Sequence, residues 1–427
     1  MSLVQESFTK ESLEKILKKC MKDIAMVLNV KVTGIAELGE NYMSEILKIL
    51  VSYSTSSGGD NKEMSIFVKC LKDDKGTIAM DKEYSMFDKE FCIYGEIFPT
   101  MTKMGDYYSI CLCKTKFIIL HLKSDKYAIM YLLEPSFKQK IGPFGYSISK
   151  DPTSMIFLED MSAVGYKMQN RQEGLDLEQC LMVVKKLAYF HSASVALQEK
   201  QPEIMNIFYN GPYNDSATLR AFFSISYAEL IRVLLDIPGL EKYSNNMPTV
   251  EYMYKKFISI AKRSNTLNVL MHGDLWCNNI LFQYQGNEVT DAVFVDYQLS
   301  TFGSPFIDLH CFFSSSVKLE NKVETITTLL NCYLDELLSN LKMLNVNKLP
   351  CREELLKDFK ECAIIGFGRM CYALPFFKAN KQKNGTLSNY IEKGGKDSFR
   401  CNSFNNPIYL KEVQQLFPFY DSLGVFD

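Results

Sequence analysis

The sequence predicts an α+β protein of two lobes, a β-rich N-terminal lobe followed by a larger, mainly helical C-terminal lobe. A chain of 427 residues is too long for one hydrophobic core. Runs of strand-type composition lie mostly before residue 160, whereas long runs with helical apolar spacing dominate after it. We therefore predict one lobe over residues 1–160 and a second over residues 161–427.

The first lobe is predicted to begin with a helix and to continue as strands. Residues 12–28 have one apolar face at helical spacing. Strand-type runs follow at residues 30–38, 46–53 and 64–71. The segment Gly39-Glu40-Asn41-Tyr42 turns between the first two runs, and on its own it is most often a plain hairpin turn.

A lysine lies inside the third strand-type run, between apolar residues. Burying Lys69 is costly unless its ammonium group is paired. The residues alone allow two interpretations, an outward-facing lysine on an alternating strand or a buried lysine held by an acidic partner. The helix predicted over residues 81–98 offers three candidates for that partner, Glu83, Glu90 and Glu96.

The junction of the two lobes is predicted from a short strand and the turn after it. Residues 111–133 contain two further β-rich runs, which we interpret as an inserted or divergent strand pair of the first lobe. Residues 155–158 form the short strand, and Glu159-Asp160-Met161 follows it. Because a turn after a strand is common, this position alone assigns the turn no role.

The second lobe is predicted to consist of amphipathic helices and a short hairpin. The helices are expected over residues 176–197, 219–235, 250–261, 323–344 and 353–377. His191 lies on the apolar face of the first of these, where a histidine is usually a satisfied core residue. The tail, residues 380–427, is expected to contain loops and a short helix.

The segment of residues 271–309 contains the residues most suited to catalysis. Asn279 follows Asp274 by five positions, so one loop can carry both, and Asp296 comes 22 positions after Asp274. Residues 280–284 and 289–295 are predicted to form a hairpin, which folds Asp296 back beside the Asp274 loop. One carboxylate is then available for an attacking hydroxyl. An amide and a second carboxylate supply oxygen ligands for Mg²⁺ on a nucleotide, as phosphoryl transfer requires.

Three motifs in this segment carry a resemblance to a known family. They are HGDLWCNNIL from residue 272, VDYQLS from residue 295 and GSPFIDL from residue 303. Together they resemble the ecdysteroid kinase-like family, which is related to choline kinases and aminoglycoside phosphotransferases. The resemblance extends more weakly from about residue 35 to about residue 380 and lapses over residues 99–150. It implies a two-lobed protein-kinase-like fold with ATP and Mg²⁺ as cofactors.

The resemblance also implies roles for particular residues. Asp274 would orient the acceptor hydroxyl and take its proton, and Asn279 and Asp296 would bind Mg²⁺. Lys69 would bind the α- and β-phosphates and would itself be held by Glu90. Further nucleotide contacts would come from the glycine loop and from the hinge that binds adenine, namely Gly39, Glu40, Asn41, Glu159, Asp160 and Met161.

Three residues near Asp274 are predicted to support the site without reacting. His272 would support the backbone of the loop, and Asp308 would anchor the same loop from the helix that follows. Trp276, the only tryptophan, has two interpretations. It either packs the loop or forms an apolar wall that faces the acceptor.

Composition limits the kinds of binding partner and the cellular location that we expect. With 48 basic and 50 acidic residues the net charge is −2, so no strong field favours nucleic acid or an anionic membrane. No run of about 18 apolar residues predicts a membrane span. The N-terminal residues lack a signal-peptide pattern, and the 13 cysteines are scattered, so we expect reduced thiols and a cytoplasmic location.

The acceptor is predicted to be a small molecule rather than a protein. Only 12 positions separate Asp296 from Asp308, which leaves no room for a long peptide-binding activation segment. The family resemblance makes an ecdysteroid the first expectation, and a xenobiotic or plant hydroxyl compound is the alternative. A non-catalytic protein that binds a hormone or nucleotide is a different class, but Lys69, Asp274 and Asp296 are all present and favour catalysis. The sequence predicts no oligomeric state.

Overall fold

The computed structural model describes most of the chain, and the fold below refers to that part. The described residues are 8–34, 44–58, 60–103, 139–150, 153–213, 215–244, 246–260, 264–380, 382, 385, 387–392 and 394–427. The predicted glycine loop at Gly39, Glu40 and Asn41 and the predicted strand pair within residues 111–133 lie outside these residues.

A five-stranded antiparallel sheet forms the N-terminal region, with strand order β1-β2-β3-β5-β4. Its strands are β1 Ile24–Gly34, β2 Ser44–Thr55, β3 Lys62–Leu71, β4 Gly145–Ser149 and β5 Met155–Glu159. Apolar side chains of β2 such as Leu47, Ile49 and Val51 are buried in one cluster with Leu13 and Leu17 of the first helix. The strands predicted at residues 46–53, 64–71 and 155–158 are therefore present, and residues 30–34 of the strand predicted at 30–38 lie in β1. Alternation of apolar residues explains the buried face of β2.

The first helix is shorter than the sequence predicted. Helix α1, Lys10–Cys20, begins one residue after Thr9, whose side chain accepts a hydrogen bond from the N–H of Ser12. The prediction of a helix over residues 12–28 was therefore wrong at both ends. Ile24 and Val27 are buried in β1 instead, because pairing with β2 gives these β-branched residues a place in the sheet.

The helix predicted over residues 81–98 is divided into two. Helix α2, Lys75–Tyr84, ends at Ser85, which has a left-handed φ of 54°, and α3, Met86–Cys92, begins directly after it. A π-helical turn, Ile93–Ile97, continues α3. Phe87 and Phe91 of α3 are buried, so this helix packs one face against the protein interior and places Glu90 toward the sheet.

The C-terminal region is mainly helical. Its helices are α4 Leu177–Lys200, α5 Ala217–Leu234, α6 Glu241–Ser244, α7 Val250–Ile260, α8 Pro305–Ser315, α9 Lys322–Met343, α10 Arg352–Glu361, α11 Ala363–Tyr372, α12 Leu374–Lys378, α13 Leu387–Glu392, α14 Phe399–Phe404 and α15 Pro407–Ser422, with a 3₁₀ segment at Pro202–Tyr209. Two small sheets join β6 Lys167–Met168 with β8 Ile280–Gln285 and β9 Glu288–Phe294, and β7 Val269–Met271 with β10 Thr301–Gly303. The predicted α+β class is confirmed.

Helix α4 is the central helix of this region. Asp176 caps its N-terminus in a capping box with Gln179. Among the described residues, α4 is the one helix whose length and composition would allow it to cross a membrane, and 83% of its apolar window is buried inside the protein. Here the apolar residues are covered by other parts of the chain, chiefly α9.

Two predictions for the C-terminal region were wrong. The single helix expected over residues 353–377 is three helices, interrupted at Cys362 and at Ala373. Pro375 lies in the first turn of α12, where a proline begins a helix more readily than it continues one. The tail contains α15, a helix of 16 residues, rather than only a short one.

Candidate active site

The catalytic segment is organised by the β8–β9 hairpin, which the sequence predicted. Ile280 pairs with Phe294 at the open end of the hairpin. Beyond this pair, the N–H of Val295 donates to the carbonyl oxygen of Asn279 at 3.0 Å. Asn279 directly precedes β8 and Asp296 comes shortly after β9, so the two residues lie at the same end of the hairpin.

Lys69 is buried and paired with two carboxylates. Its Nζ lies 2.7 Å from Glu90 Oε2 and 2.7 Å from Asp296 Oδ1. Lys69 is 5% exposed, so the interpretation of an outward-facing lysine is wrong. Glu90, rather than Glu83 or Glu96, is the helix glutamate in contact with it.

The charges of this group are mutually dependent. Burial by itself would lower the pKa of Lys69, but the carboxylates of Asp296 and Glu90 outweigh it and raise that pKa above its ordinary value. Burial raises the pKa of Glu90 to about 7, against the opposing effect of Lys69. The raised pKa keeps Lys69 protonated. Of its two carboxylate partners, Asp296 is more exposed than Glu90.

The geometry of Asp296 and Asn279 suits a magnesium ion that arrives with a nucleotide. Asp296 has a left-handed φ of 68°, an unfavourable conformation for a residue other than glycine, and its side chain is 33% exposed. Asn279 donates its amide hydrogens to Asp274 O at 2.8 Å and Oδ2 at 3.3 Å, which leaves its amide oxygen as the available ligand atom. The amide oxygen of Asn279 and the carboxylate of Asp296 are both oxygen ligands, which Mg²⁺ prefers.

A metal bound by protein side chains alone has no support in the described part of the chain. No group of three or more His, Cys, Asp or Glu residues there could hold an ion. Two protein ligands are nevertheless enough for Mg²⁺ when phosphate oxygens and water complete its coordination.

The loop before Asp274 is held by Asp308 of α8. The backbone N–H of His272 donates to Asp308 Oδ2 at 2.6 Å, and that of Gly273 donates to Oδ1 at 2.9 Å. Gly273 has a φ of 83°, and a Cβ atom there would collide with the carbonyl of Leu299, so only glycine fits. The loop conformation therefore depends on a buried carboxylate in the next helix.

Two buried histidines complete this support. His272 Nε2 lies 2.9 Å from the carbonyl oxygen of Val295, next to Asp296. His191 contacts Asp308 at 3.2 Å and the hydroxyl of Tyr333 at 2.7 Å, and it is fully buried. His191 is thus a hydrogen-bonded core residue that orients Asp308.

Asp274 has a partner that was not identified from the sequence. Arg369 of α11 donates from Nη2 to Asp274 Oδ1 at 2.7 Å. The two residues are 95 positions apart, so no local motif connects them. The available signal was a single charge within the apolar run IIGFGRMCY, since a buried arginine requires an acceptor.

Aromatic rings lie beside the Asp274–Arg369 pair. Trp276 and Phe377 stack with ring centres 4.0 Å apart and an interplanar angle of 7°. The Arg369 guanidinium carbon is 5.6 Å from the Phe377 ring centre and 6.0 Å from that of Tyr372. Both rings of the stack are partly exposed, so Trp276 packs its loop and also offers apolar surface next to Asp274.

The side chains of the predicted hinge are bound within the protein. Asp160 Oδ2 accepts hydrogen bonds from Ser65 and Lys48, each at 2.6 Å. The Glu159 carboxylate accepts from Lys140 at 2.6 Å, and Met161 is buried. A nucleotide contact here would therefore come from the backbone, and the predicted role of this segment in nucleotide binding stays a prediction.

Comparison with solved structures found distant likenesses to small-molecule kinases. An ethanolamine kinase from Plasmodium vivax is 12% identical with a TM-score of 0.42, over 92% of this chain and 83% of its own. A choline/ethanolamine kinase family protein from Mesorhizobium loti is 10% identical with a TM-score of 0.42, over 97% and 98%. A choline kinase from Streptococcus pneumoniae is 14% identical with a TM-score of 0.37, over 95% and 99%. Similarity this low says nothing about substrates.

Comparison with known sequences is more decisive. No curated protein matches the chain. The profile of the ecdysteroid kinase-like family matches residues 38–346, which are most of the chain and include Lys69, Glu90, Asp274, Asn279 and Asp296. The chain belongs to the ecdysteroid kinase-like family.

Proposed function

We propose that the protein is an ATP-dependent kinase that transfers the γ-phosphoryl group to a hydroxyl of a small apolar acceptor. One observation carries the proposal, the chain of contacts that joins Glu90, Lys69 and Asp296 across β3, α3 and the hairpin. A buried ammonium group next to an accessible carboxylate supplies what a nucleotide triphosphate with its metal requires.

The residues divide the chemistry between them. Lys69 would neutralise charge on the α- and β-phosphates, and Glu90 keeps its ammonium group in place. When bound, Mg²⁺ would be held by Asn279 and Asp296 and would neutralise the charge of the transferred group. Asp274 would orient the acceptor hydroxyl and receive its proton as the bond to phosphorus forms.

The acceptor is inferred from the surroundings of Asp274 and from the family. The stacked rings of Trp276 and Phe377 offer an apolar surface beside the carboxylate. This surface and the membership of the ecdysteroid kinase-like family support an ecdysteroid as the first candidate. A xenobiotic or plant hydroxyl compound with a similar apolar skeleton is the alternative.

The proposal is tested by a mass-spectrometric screen for the gain of one phosphate. The purified protein is incubated with ATP, Mg²⁺ and panels of ecdysteroids, other sterols and plant glycosides, with Asp274→Asn as the matched control. We expect a product with the wild-type protein and a loss of about 10²-fold or more with the variant. Binding of ATP and acceptor by the wild-type protein without any product would instead support a non-catalytic binding protein.

A further inference from the structure

Arg369 is a buried cation that the proposed transfer does not yet use. It lies on α11, all ten residues of which are buried. The helix is packed so closely that a Cβ atom on Gly368 would lie 2.6 Å from the ring of Phe257. Arg369 itself is only 7% exposed, so its guanidinium group needs its partners inside the protein.

The partner that it finds is the carboxylate of Asp274. The Arg369 side chain is 8% exposed and the Asp274 side chain 22% exposed, so this ion pair is largely shielded from water. The rings of Phe377 and Tyr372 cover the guanidinium group. Within the described residues, the buried Nε atom has no hydrogen-bond partner.

The two oxygens of Asp274 are held unequally. Oδ1 accepts the hydrogen bond from Arg369 at 2.7 Å. Among the described residues, Oδ2 accepts one longer hydrogen bond, of 3.3 Å, from the Asn279 amide. A charge-assisted bond to one oxygen fixes the rotation of the carboxylate group and leaves the other oxygen available.

We infer that Arg369 is a positioning residue for Asp274, which it holds by Oδ1 so that Oδ2 receives the proton of the acceptor hydroxyl. This inference rests on the proposed function. In the step, the O–H bond of the acceptor breaks and its proton goes to Oδ2. The acceptor oxygen forms a bond to the γ-phosphorus, and the bond from that phosphorus to the bridging oxygen breaks, which releases ADP.

The same contact affects which acceptors bind well. The guanidinium charge offsets the charge of Asp274, so little net negative charge is left to attract an ammonium group. Uncharged hydroxyl compounds therefore gain relative to cationic ones of the same shape. Removal of Arg369 uncovers the Asp274 carboxylate and favours the cationic analogue.

Kinetics of three variants test the positioning role. Arg369→Gln should lower kcat by about 10-fold or more while the KM for ATP stays within about 3-fold, because the nucleotide contacts are elsewhere. Arg369→Lys should restore part of the lost kcat, since it keeps a charge near Oδ1. Arg352→Gln, which removes an exposed ion pair with Asp335, is the control and should change neither constant. An Arg369→Gln enzyme with lower thermal stability but unchanged kcat overturns the inference.

Acceptor binding gives a readout that needs no turnover. With a non-hydrolysable ATP analogue and Mg²⁺ present, calorimetry compares a neutral sterol alcohol with its amine analogue of the same skeleton. We expect the wild-type protein to prefer the alcohol and Arg369→Gln to shift the preference toward the amine by about 10-fold or more. Equal preference in both proteins contradicts the inference.

A double-mutant cycle separates failure of the inference from failure of the proposed function. We expect Arg369→Gln to lower Tm by about 2–4 °C more in the wild-type background than in Asp274→Asn, because only the former loses an ion pair. If the two substitutions show no coupling in Tm, the inference is overturned, whatever the activity of the variants. If the substitutions are coupled and the binding preference is as expected, but no phosphorylated product forms, the Arg369–Asp274 contact is supported and the kinase proposal is rejected.

Discussion

The nucleotide side and the acceptor side of the candidate site are built in different ways. On the nucleotide side, Lys69 contacts Glu90 and Asp296 directly, and all three residues were candidates from the sequence. On the acceptor side, Asp274 is contacted by Arg369 from a helix far along the chain, and Trp276 stacks on Phe377.

The proposed function accounts for this difference. A triphosphate with its metal has a fixed charge pattern, so a few charges at set places suffice to bind it. An apolar acceptor offers mainly surface, which aromatic side chains from several helices must cover. Substitutions on the nucleotide side should therefore act mainly through lost charge, and substitutions on the acceptor side mainly through lost packing.

The largest effect is expected for the metal ligand on the nucleotide side. Asp296→Asn removes a charged oxygen ligand and the partner of Lys69, so turnover should fall by about 10³-fold or more. Raised Mg²⁺ should restore little of it. Steady-state kinetics at several Mg²⁺ concentrations measure this, with Asp335→Asn on the surface as the control. Near-normal turnover would remove Asp296 from the site.

A second large effect is expected for Lys69. Lys69→Met keeps an apolar stem but leaves the carboxylates of Glu90 and Asp296 without their cation, and turnover should fall by about 10²-fold or more. Circular dichroism should show an intact fold. The double variant Lys69→Met with Glu90→Gln should recover stability but not turnover, and recovery of turnover would contradict a phosphate-binding role for Lys69.

A smaller and acceptor-dependent effect is expected on the other side. Trp276→Ala exposes one face of Phe377 and removes apolar surface worth about 1–2 kcal/mol, so the KM for a bulky apolar acceptor should rise by about 10-fold. A small hydroxyl acceptor should be affected much less, and Trp276→Phe should behave nearly like the wild-type protein. An equal change in KM for both acceptors would indicate that Trp276 only packs its loop.

The smallest effect is expected at Asp160 in the predicted hinge and concerns stability. Burial opposes ionisation of Asp160, but hydrogen bonds from Lys48, Ser162 and Ser65 outweigh it and lower the pKa to about 2 from an ordinary value of 3.8. The carboxylate therefore stabilises the fold above about pH 4, and this contribution disappears as the pH falls through about 2.

Asp160→Asn should accordingly cost about 1–2 kcal/mol of unfolding free energy near neutral pH, and the difference should shrink toward pH 2. Urea unfolding at several pH values measures it, with Asp335→Asn as an exposed control. A difference that does not change with pH would assign the stabilisation to packing rather than to the charge.

The sequence by itself determined the local elements and indicated the candidate residues for nucleotide binding. Alternation and turn residues predicted β3, β5 and the β8–β9 hairpin, and the α+β class was confirmed. The strands and the hairpin were accessible because their signals are short-range, namely period, turn chemistry and residue spacing. The protein-kinase-like fold was implied by the family resemblance of motifs within residues 272–309, and the family match over residues 38–346 agrees with it.

Tertiary structure decided where helices stop and which distant residues meet. The first helix ends at Cys20 because Ile24 and Val27 are buried in the sheet, and this choice depends on β2. The break at Ala373 precedes a proline that could have signalled it, yet the apolar pattern runs on without interruption.

The contact of Arg369 with Asp274 shows the same limit within the site. An isolated charge in an apolar helix indicates only that some acceptor is needed, because many carboxylates in the chain could supply it. Burial of the whole of α11 places Arg369 inside the protein, where its guanidinium group meets Asp274. Local sequence thus indicated Lys69, Asp274 and Asp296 as site residues, whereas packing over long separations brought Arg369 to Asp274.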